Sequence, residues 1–289
     1  MMPDTALETL LRRDRTVIAA SVATLVALAW IYILWLATTM DMGGMVTPEA
    51  GMDADTPMGD GMEMGSEGQA DLEKLIGVSP RPWTAVDAAF TLTMWMVMMV
   101  GMMLPSATPM ILLYARVGRQ SRGDGKPFAT TGFFAGGYLL AWTGFSLAAT
   151  LGQWLIDGAL LTPALASASR VFSGVVLVVA GLYQWTPLKD ACLRQCQAPI
   201  VFLQNHGGFR RDPRGAVALG FRHGLYCVGC CWALMTLLFV VGVMNVLWIA
   251  VIAVFVLVEK LLPTGGVLSR AAGAVLVVFG LWQLFAAAL

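Results

Sequence analysis

Seven stretches of this 289-residue chain are long and nearly free of charge: Val17 to Ala37, Ala85 to Tyr114, Phe128 to Ile156, Val171 to Pro187, Ala216 to Val241, Val246 to Leu262 and Val267 to Leu289. A bilayer core needs about 20 apolar residues per crossing helix. Lipid offers no partner to backbone N–H and C=O groups, so a crossing segment is a helix or a strand of a closed barrel. Barrel strands alternate over about ten residues, and these runs do not. The chain therefore reads as an all-α membrane protein, a bundle of about seven transmembrane helices in which the fourth and sixth are short. Composition agrees: 58% of residues are apolar and 12% charged, about half the charge of a soluble domain. Eighteen basic residues offset 18 acidic ones, which excludes a nucleic-acid partner.

Basic residues orient the bundle. With a cytoplasmic N-terminus, 15 of them, from Arg12 to Arg270, fall on the inner side, and only Lys74, Arg81 and Arg170 fall outside. That is the positive-inside asymmetry. The first apolar run spans 21 residues after Arg12, Arg13 and Arg15, longer than the roughly 7–15 of a signal-peptide core, so it reads as a retained anchor. The expected setting is a bacterial cytoplasmic membrane, with the lipid bilayer as first partner. Three regions follow: residues 1–38, a cytoplasmic tail and first helix; residues 39–82, an outer loop; and residues 83–289, a six-helix membrane domain that binds metal.

The outer loop carries nine acidic residues and seven methionines, in units such as Asp41-Met42-Gly43-Gly44-Met45 and Gly61-Met62-Glu63-Met64. No apolar period survives in it, so it is expected to be largely disordered. Thioethers are soft ligands that suit Cu(I) and need no deprotonation. The carboxylates also suit harder divalent ions, and a low-complexity tether is the bland alternative.

Seven more methionines lie between 94 and 110. At helical spacing Asp87, Thr91, Met94, Met98 and Met102 share one face, with Met99 and Met103 on an adjoining strip. A carboxylate followed by thioethers would lead inward from the outer surface, although a methionine stripe also serves as plain packing. Pro105 and Pro109 are expected to kink or end this helix.

All five cysteines fall in two groups: Cys192 and Cys196 beyond the fourth span, and Cys227, Cys230 and Cys231 in the fifth. His223, Cys227 and Cys230 align on one helical face, with Cys231 one step round. Thiols with an imidazole form a soft-metal donor set. Thiol–disulfide exchange is the rival chemistry, and packing the simplest reading. Glu259 has three possible roles: metal ligand, proton carrier or ion-pair partner. Lys260 is expected to snorkel to the inner interface, and Gln184 to orient a ligand through a hydrogen bond. No phosphate-binding loop, G-x-S-x-G elbow or HExxH helix is present.

Three blocks together carry a resemblance: residues 94–106 (MWMVMMVGMMLPS), 185–196 (WTPLKDACLRQC) and 224–235 (GLYCVGCCWALM). Over residues 85–289 the chain resembles a bacterial family described as predicted metal-binding integral membrane proteins, long a domain of unknown function. That family is in turn similar to the membrane-anchored copper-delivery partner of a bacterial tyrosinase. The resemblance implies metal binding through the Cys and Met positions of these blocks, and copper supply to a copper enzyme. It leaves the first span and the outer loop unexplained. The expected function is therefore binding of Cu(I) and its transfer to or from a partner, a copper-dependent oxidase or a soluble metal carrier, or across the membrane. The expected ligands are Cys192, Cys196, His223, Cys227, Cys230, Cys231, Met94, Met98, Met102, Asp87 and Glu259. The alternative is a membrane redox enzyme: a thiol–disulfide oxidoreductase, or an oxidase subunit with Asp87 and Glu259 as hard ligands.

Overall fold

The computed structural model describes residues 4–44, 83–120, 127–160, 165–243 and 245–288, and these are helices joined by short turns, with no strand among them. The longest are α1 (Asp4–Gly44), α2 (Ala85–Gln120) and α3 (Pro127–Leu160). Then come α4 (Leu165–Tyr183), α5 (Pro187–Gln197), α6 (Pro199–Asn205) and α7 (Pro213–Thr236). The chain closes with α8 (Leu238–Val241), α9 (Val246–Leu261) and α10 (Gly265–Ala288). Five spans are long and apolar enough to cross a bilayer: 16–39 in α1, α2, 130–156 in α3, α7 continued by α8, and 265–287 in α10. A sixth forms only if α4 and α5, bent by 64° at their junction, count as one.

Two sequence expectations change here, and the expected shortness of the sixth segment holds. The fourth apolar segment does not run as one helix to Pro187; it ends at Tyr183. Thr186 caps α5, its side chain accepting from Lys189 N, and Pro187 takes the first helical position. Proline fits there but disfavours helical geometry in the residue before it, so the chain must turn. The sixth segment forms a helix of only 16 residues, about 24 Å at 1.5 Å per residue and shorter than a bilayer core. Finally, α2 passes uninterrupted through Pro105 and Pro109. Hydroxyls near the prolines bond to its carbonyls: Ser106 Oγ donates to Met103 O at 2.9 Å and Thr108 Oγ1 to Leu104 O at 3.0 Å. From α3, Tyr138 Oη donates to the same Met103 carbonyl at 3.1 Å. The carbonyls that the prolines leave without a helical donor are those of Gly101 and Pro105, four residues earlier, and the hydroxyl bonds fall on the carbonyls between them. Most of the outer-loop reading, residues 45–82, lies outside the described residues, and α1 extends to Gly44.

Small residues set the helix spacing. The closest pairing is α3 with α7, followed by α4 with α10 and α1 with α2. A Cβ on Gly224 of α7 would lie 2.6 Å from Ala141 Cβ of α3, and one on Gly220 would overlap the Phe134 carbonyl. On α4 and α10, Gly181 faces Gly273 and Gly174 faces Gly280, each against the other's backbone carbonyl. Membrane helices pack by such close approach, because lipid removes the hydrophobic driving force between them. The core lies where α2, α3 and α7 meet, filled by Trp95, Met98, Met102, Met103, Tyr138 and Met235. Leu28, Ile31, Val275, Val278 and Phe285 are exposed on the outside, as a lipid-facing surface requires.

Candidate metal centre

The fifth-span cysteines are positioned by α7. Asp212 caps this helix and Pro213 opens it, and a 3.6-residue period puts positions 223, 227 and 230 on one face. The tight α3–α7 contact at Gly220 and Gly224 brings Tyr138 onto Cys227, with Oη 3.1 Å from Sγ. Cys227, Cys230 and Cys231 are all buried. The Cys230 and Cys231 thiols each donate to the Cys227 carbonyl, at 3.1 and 2.9 Å. They therefore stay beside the Cys227 sulfur instead of rotating outward.

Two other segments reach this patch. Cys196, in the last turn of α5, brings its sulfur 4.0 Å from Cys230 Sγ and within interaction range of Cys227. From α2, Met103 Sδ lies 3.8 Å from Cys231 Sγ. Four thiols and one thioether from three distant parts of the sequence thus share one buried patch, and all five cysteines are free thiols. Cys192, one turn earlier on α5, packs on Gly229, where an added Cβ would lie 2.8 Å from its sulfur. It abuts the patch within interaction range of Cys230. Among the described residues, no three His, Cys, Asp or Glu side chains are disposed to close on one ion.

The charged groups are arranged unexpectedly. Lys260 does not snorkel. It is 6% exposed, and its Nζ sits 2.9 Å from Cys227 Sγ and 3.1 Å from Ser106 Oγ. Its neighbour Glu259 points the other way, with Oε1 2.6 Å from Lys189 Nζ and both side chains fully buried. Of the roles open to Glu259, ion pairing is the one this geometry shows. Gln184 accepts from Lys189 Nζ and, at 3.1 Å, from Ser269 Oγ, so it braces that ion pair. Further bonds anchor α5: Gln197 Nε2 donates to the Glu259 carbonyl at 2.9 Å, and Arg270 Nη2 lies 3.2 Å from Asp190 Oδ2. The helix carrying Cys196 is held at both ends.

His223 is buried with Nδ1 unpartnered. Its ring meets Phe202 edge-on at 5.0 Å, and His206 stacks on the same phenylalanine at 4.4 Å. Met94, Met98 and Met102 are buried along α2, but the methionine that touches the thiols is Met103, on the adjoining strip. Asp87 lies in the first turn of α2, where its Oδ2 accepts from Thr84 N at 2.9 Å and Thr84 Oγ1 at 2.7 Å. This reciprocal cap has the Thr-x-x-acid spacing of a capping box. Sequence reasoning missed Tyr138 and the inward Lys260 as partners of Cys227, and Ser106 as the second partner of Lys260; a lysine and a serine inside apolar spans were the available signal.

A family model described as PpoB2, copper chaperone, matches residues 92–283. The match contains all three blocks that carry the resemblance noted in the sequence. No curated protein and no solved structure matches the chain.

Proposed function

The chain belongs to the PpoB2 copper-chaperone family, and from that premise we propose that it carries Cu(I) on sulfur in a bacterial cytoplasmic membrane. Outer methionines of residues 39–82 capture the ion. Thioethers along the Met94–Met98–Met102 face pass it inward, and the Cys196, Cys227, Cys230 and Cys231 thiols receive it, with Cys192 and His223 flanking them. Asp87 stands at the outer entrance, and Glu259 serves through the helix that carries Cys196. Single thioether ligands suit hand-over, because each well is shallow and the next is near. The same ladder serves delivery outward to a copper-dependent oxidase and exchange with a soluble carrier. The basic-residue asymmetry favours seven spans with the N-terminus inside, the short α9 completing the count.

The observation that carries this reading is the contact of Met103 Sδ with Cys231 Sγ at 3.8 Å, which joins the methionine helix to the thiol patch. The test is metal content by mass spectrometry after anaerobic Cu(I) loading of wild type, Cys227→Ser/Cys230→Ser and Met103→Leu. Copper held by wild type, lost in the double variant and weakened in Met103→Leu is the expected pattern. Equal retention in all three would remove the sulfur patch from the mechanism, and zinc or iron in place of copper would overturn the Cu(I) assignment.

A further inference from the structure

An apolar groove and a basic cluster meet on the outside of the bundle, and the copper-carrier reading uses neither. The groove runs between α3 and α7 and holds about 520 Å³. Phe133, Leu140, Val217 and Phe221 wall it, and Arg214, in the first turn of α7, stands at one end. Glycines give it this shape. A Cβ on Gly137 would overlap the Val217 carbonyl, so α3 and α7 touch there, while a Cβ on Gly136 would meet nothing within 4 Å. Large side chains flanking a close backbone contact leave a trough. From Phe133 to Leu140 it extends about 11 Å at 1.5 Å per residue, and Phe133, Leu140 and Phe221 are exposed along it.

Beside the groove lies a pocket of about 180 Å³, lined by His206, Arg210 and Arg222 and sharing Ala218 with the groove. Arg214, Ala218 and Arg222 follow at four-residue spacing, so they share one face of α7, and the small alanine leaves room between two guanidinium groups. Arg210 is held in place. Gly207 takes a φ of 85°, and the Arg210 guanidinium lies over it, 2.7 Å from where a Cβ would stand. The turn is pinned to α2, because Tyr114 Oη donates to the Arg210 carbonyl at 3.0 Å and Phe209 packs on Gly118. Residues 206–222 carry four arginines and one acid, Asp212, and that carboxylate caps Gly215 N. Among the described residues no carboxylate lies within ion-pair distance of Arg210, Arg214 or Arg222. Guanidinium groups match phosphate geometry, and basic pockets between membrane helices recognise lipid headgroups. A free anion would use the arginines and leave the trough empty; an acyl chain alone would ignore the arginines. A phospholipid uses both, and one with net negative charge complements arginines that no acid offsets.

We propose that the α3–α7 groove binds one anionic phospholipid of the cytoplasmic leaflet, its acyl chain between Phe133, Leu140 and Phe221 and its phosphate among Arg210, Arg214 and Arg222. The inference rests on the membrane reading and orientation above. It is tested by native mass spectrometry of the full chain in neutral detergent, titrated with phosphatidylglycerol or phosphatidylcholine of identical acyl chains. Wild type is expected to retain one phosphatidylglycerol in preference to phosphatidylcholine. Arg214→Gln and Arg222→Gln should each weaken phosphatidylglycerol by on the order of fivefold, whereas Arg194→Gln, on α5 and outside the groove, should not. Ala218→Phe, which fills the wall common to groove and pocket, should weaken it with no change of charge. All four positions are exposed, so folding survives the substitutions. Equal binding of the two lipids, or equal losses in Arg194→Gln and the groove variants, would overturn the proposal. Full displacement of the lipid by millimolar inorganic phosphate would overturn it as well, showing an anion site without a chain. A protein that carbonate extraction releases from membranes would sink the membrane reading itself, an outcome distinct from embedded protein that binds both lipids alike.

Discussion

Replacing Glu259 by leucine removes one half of an ion pair whose two side chains are both fully buried, 2.6 Å apart. The ammonium left behind keeps only the Gln184 carbonyl oxygen, because the rest of its surroundings are helix packing. Breaking a buried pair from one side costs about 3–5 kcal/mol, whereas replacing both partners by apolar groups of similar volume is close to neutral. Glu259→Leu should therefore destabilise the fold by about 3–5 kcal/mol, and Lys189→Met/Glu259→Leu should recover most of that loss. An internal control exists on the same helix. The Arg270–Asp190 pair is 3.2 Å apart with side chains 65% and 26% exposed, so Asp190→Asn should cost no more than about 1 kcal/mol. Unfolding of the four proteins in mixed micelles, followed by tryptophan fluorescence against denaturant, measures all of this in one series. A double variant as unstable as Glu259→Leu would refute the argument, as would a single variant as stable as wild type. Because the pair anchors α5, Glu259→Leu should also speed maleimide labelling of Cys196, a local effect that Asp190→Asn should not share.

Two further outcomes follow from packing and sulfur geometry. Gly220→Ala inserts a methyl group into the Phe134 carbonyl, so it should separate α3 from α7, cost on the order of 1–3 kcal/mol as overpacking and break the Tyr138–Cys227 contact; helix-pair crosslinking yield and fluorescence-detected unfolding would register it, and unchanged values would count against the close approach. Cys196 Sγ and Cys230 Sγ, 4.0 Å apart, need only a small shift to reach the disulfide length of about 2.05 Å; mild oxidation should link them, as peptide mass spectrometry would reveal, and block copper loading until the bond is reduced. A Cys196–Cys192 product would instead show that α5 rotates away from α7.

The helices were legible because lipid leaves the backbone one solution, so long apolar runs translate directly into spans. The cap at Thr84 and Asp87 is also written in a local three-residue spacing, which the sequence reading passed over in favour of a ligand role for Asp87. The bend before Pro187 was also written locally, in Thr186-Pro187, and apolar content masked it. What local pattern could not supply is which helices meet. Met103 and Met102 are adjacent and chemically alike, and only the packing of α2 on α7 decides which one meets Cys231. Glu259 and Lys260 are likewise neighbours, yet helical geometry turns one toward α5 and the other toward Cys227. The sequence left Glu259 among three roles and sent Lys260 to the inner interface, because the partners Lys189 and Ser106 lie 70 and 154 residues away.

The sulfur patch draws on residue 103, residue 196 and residues 227–231, three points carried by helices that local sequence does not connect. An ion coordinated by all three would act as a mechanical crosslink, tying α2, α5 and α7 into one body. Loaded chains would then resist protease and unfoldase attack longer than empty ones. Cellular abundance of the protein would follow copper supply after synthesis, with cargo occupancy serving as the signal for turnover.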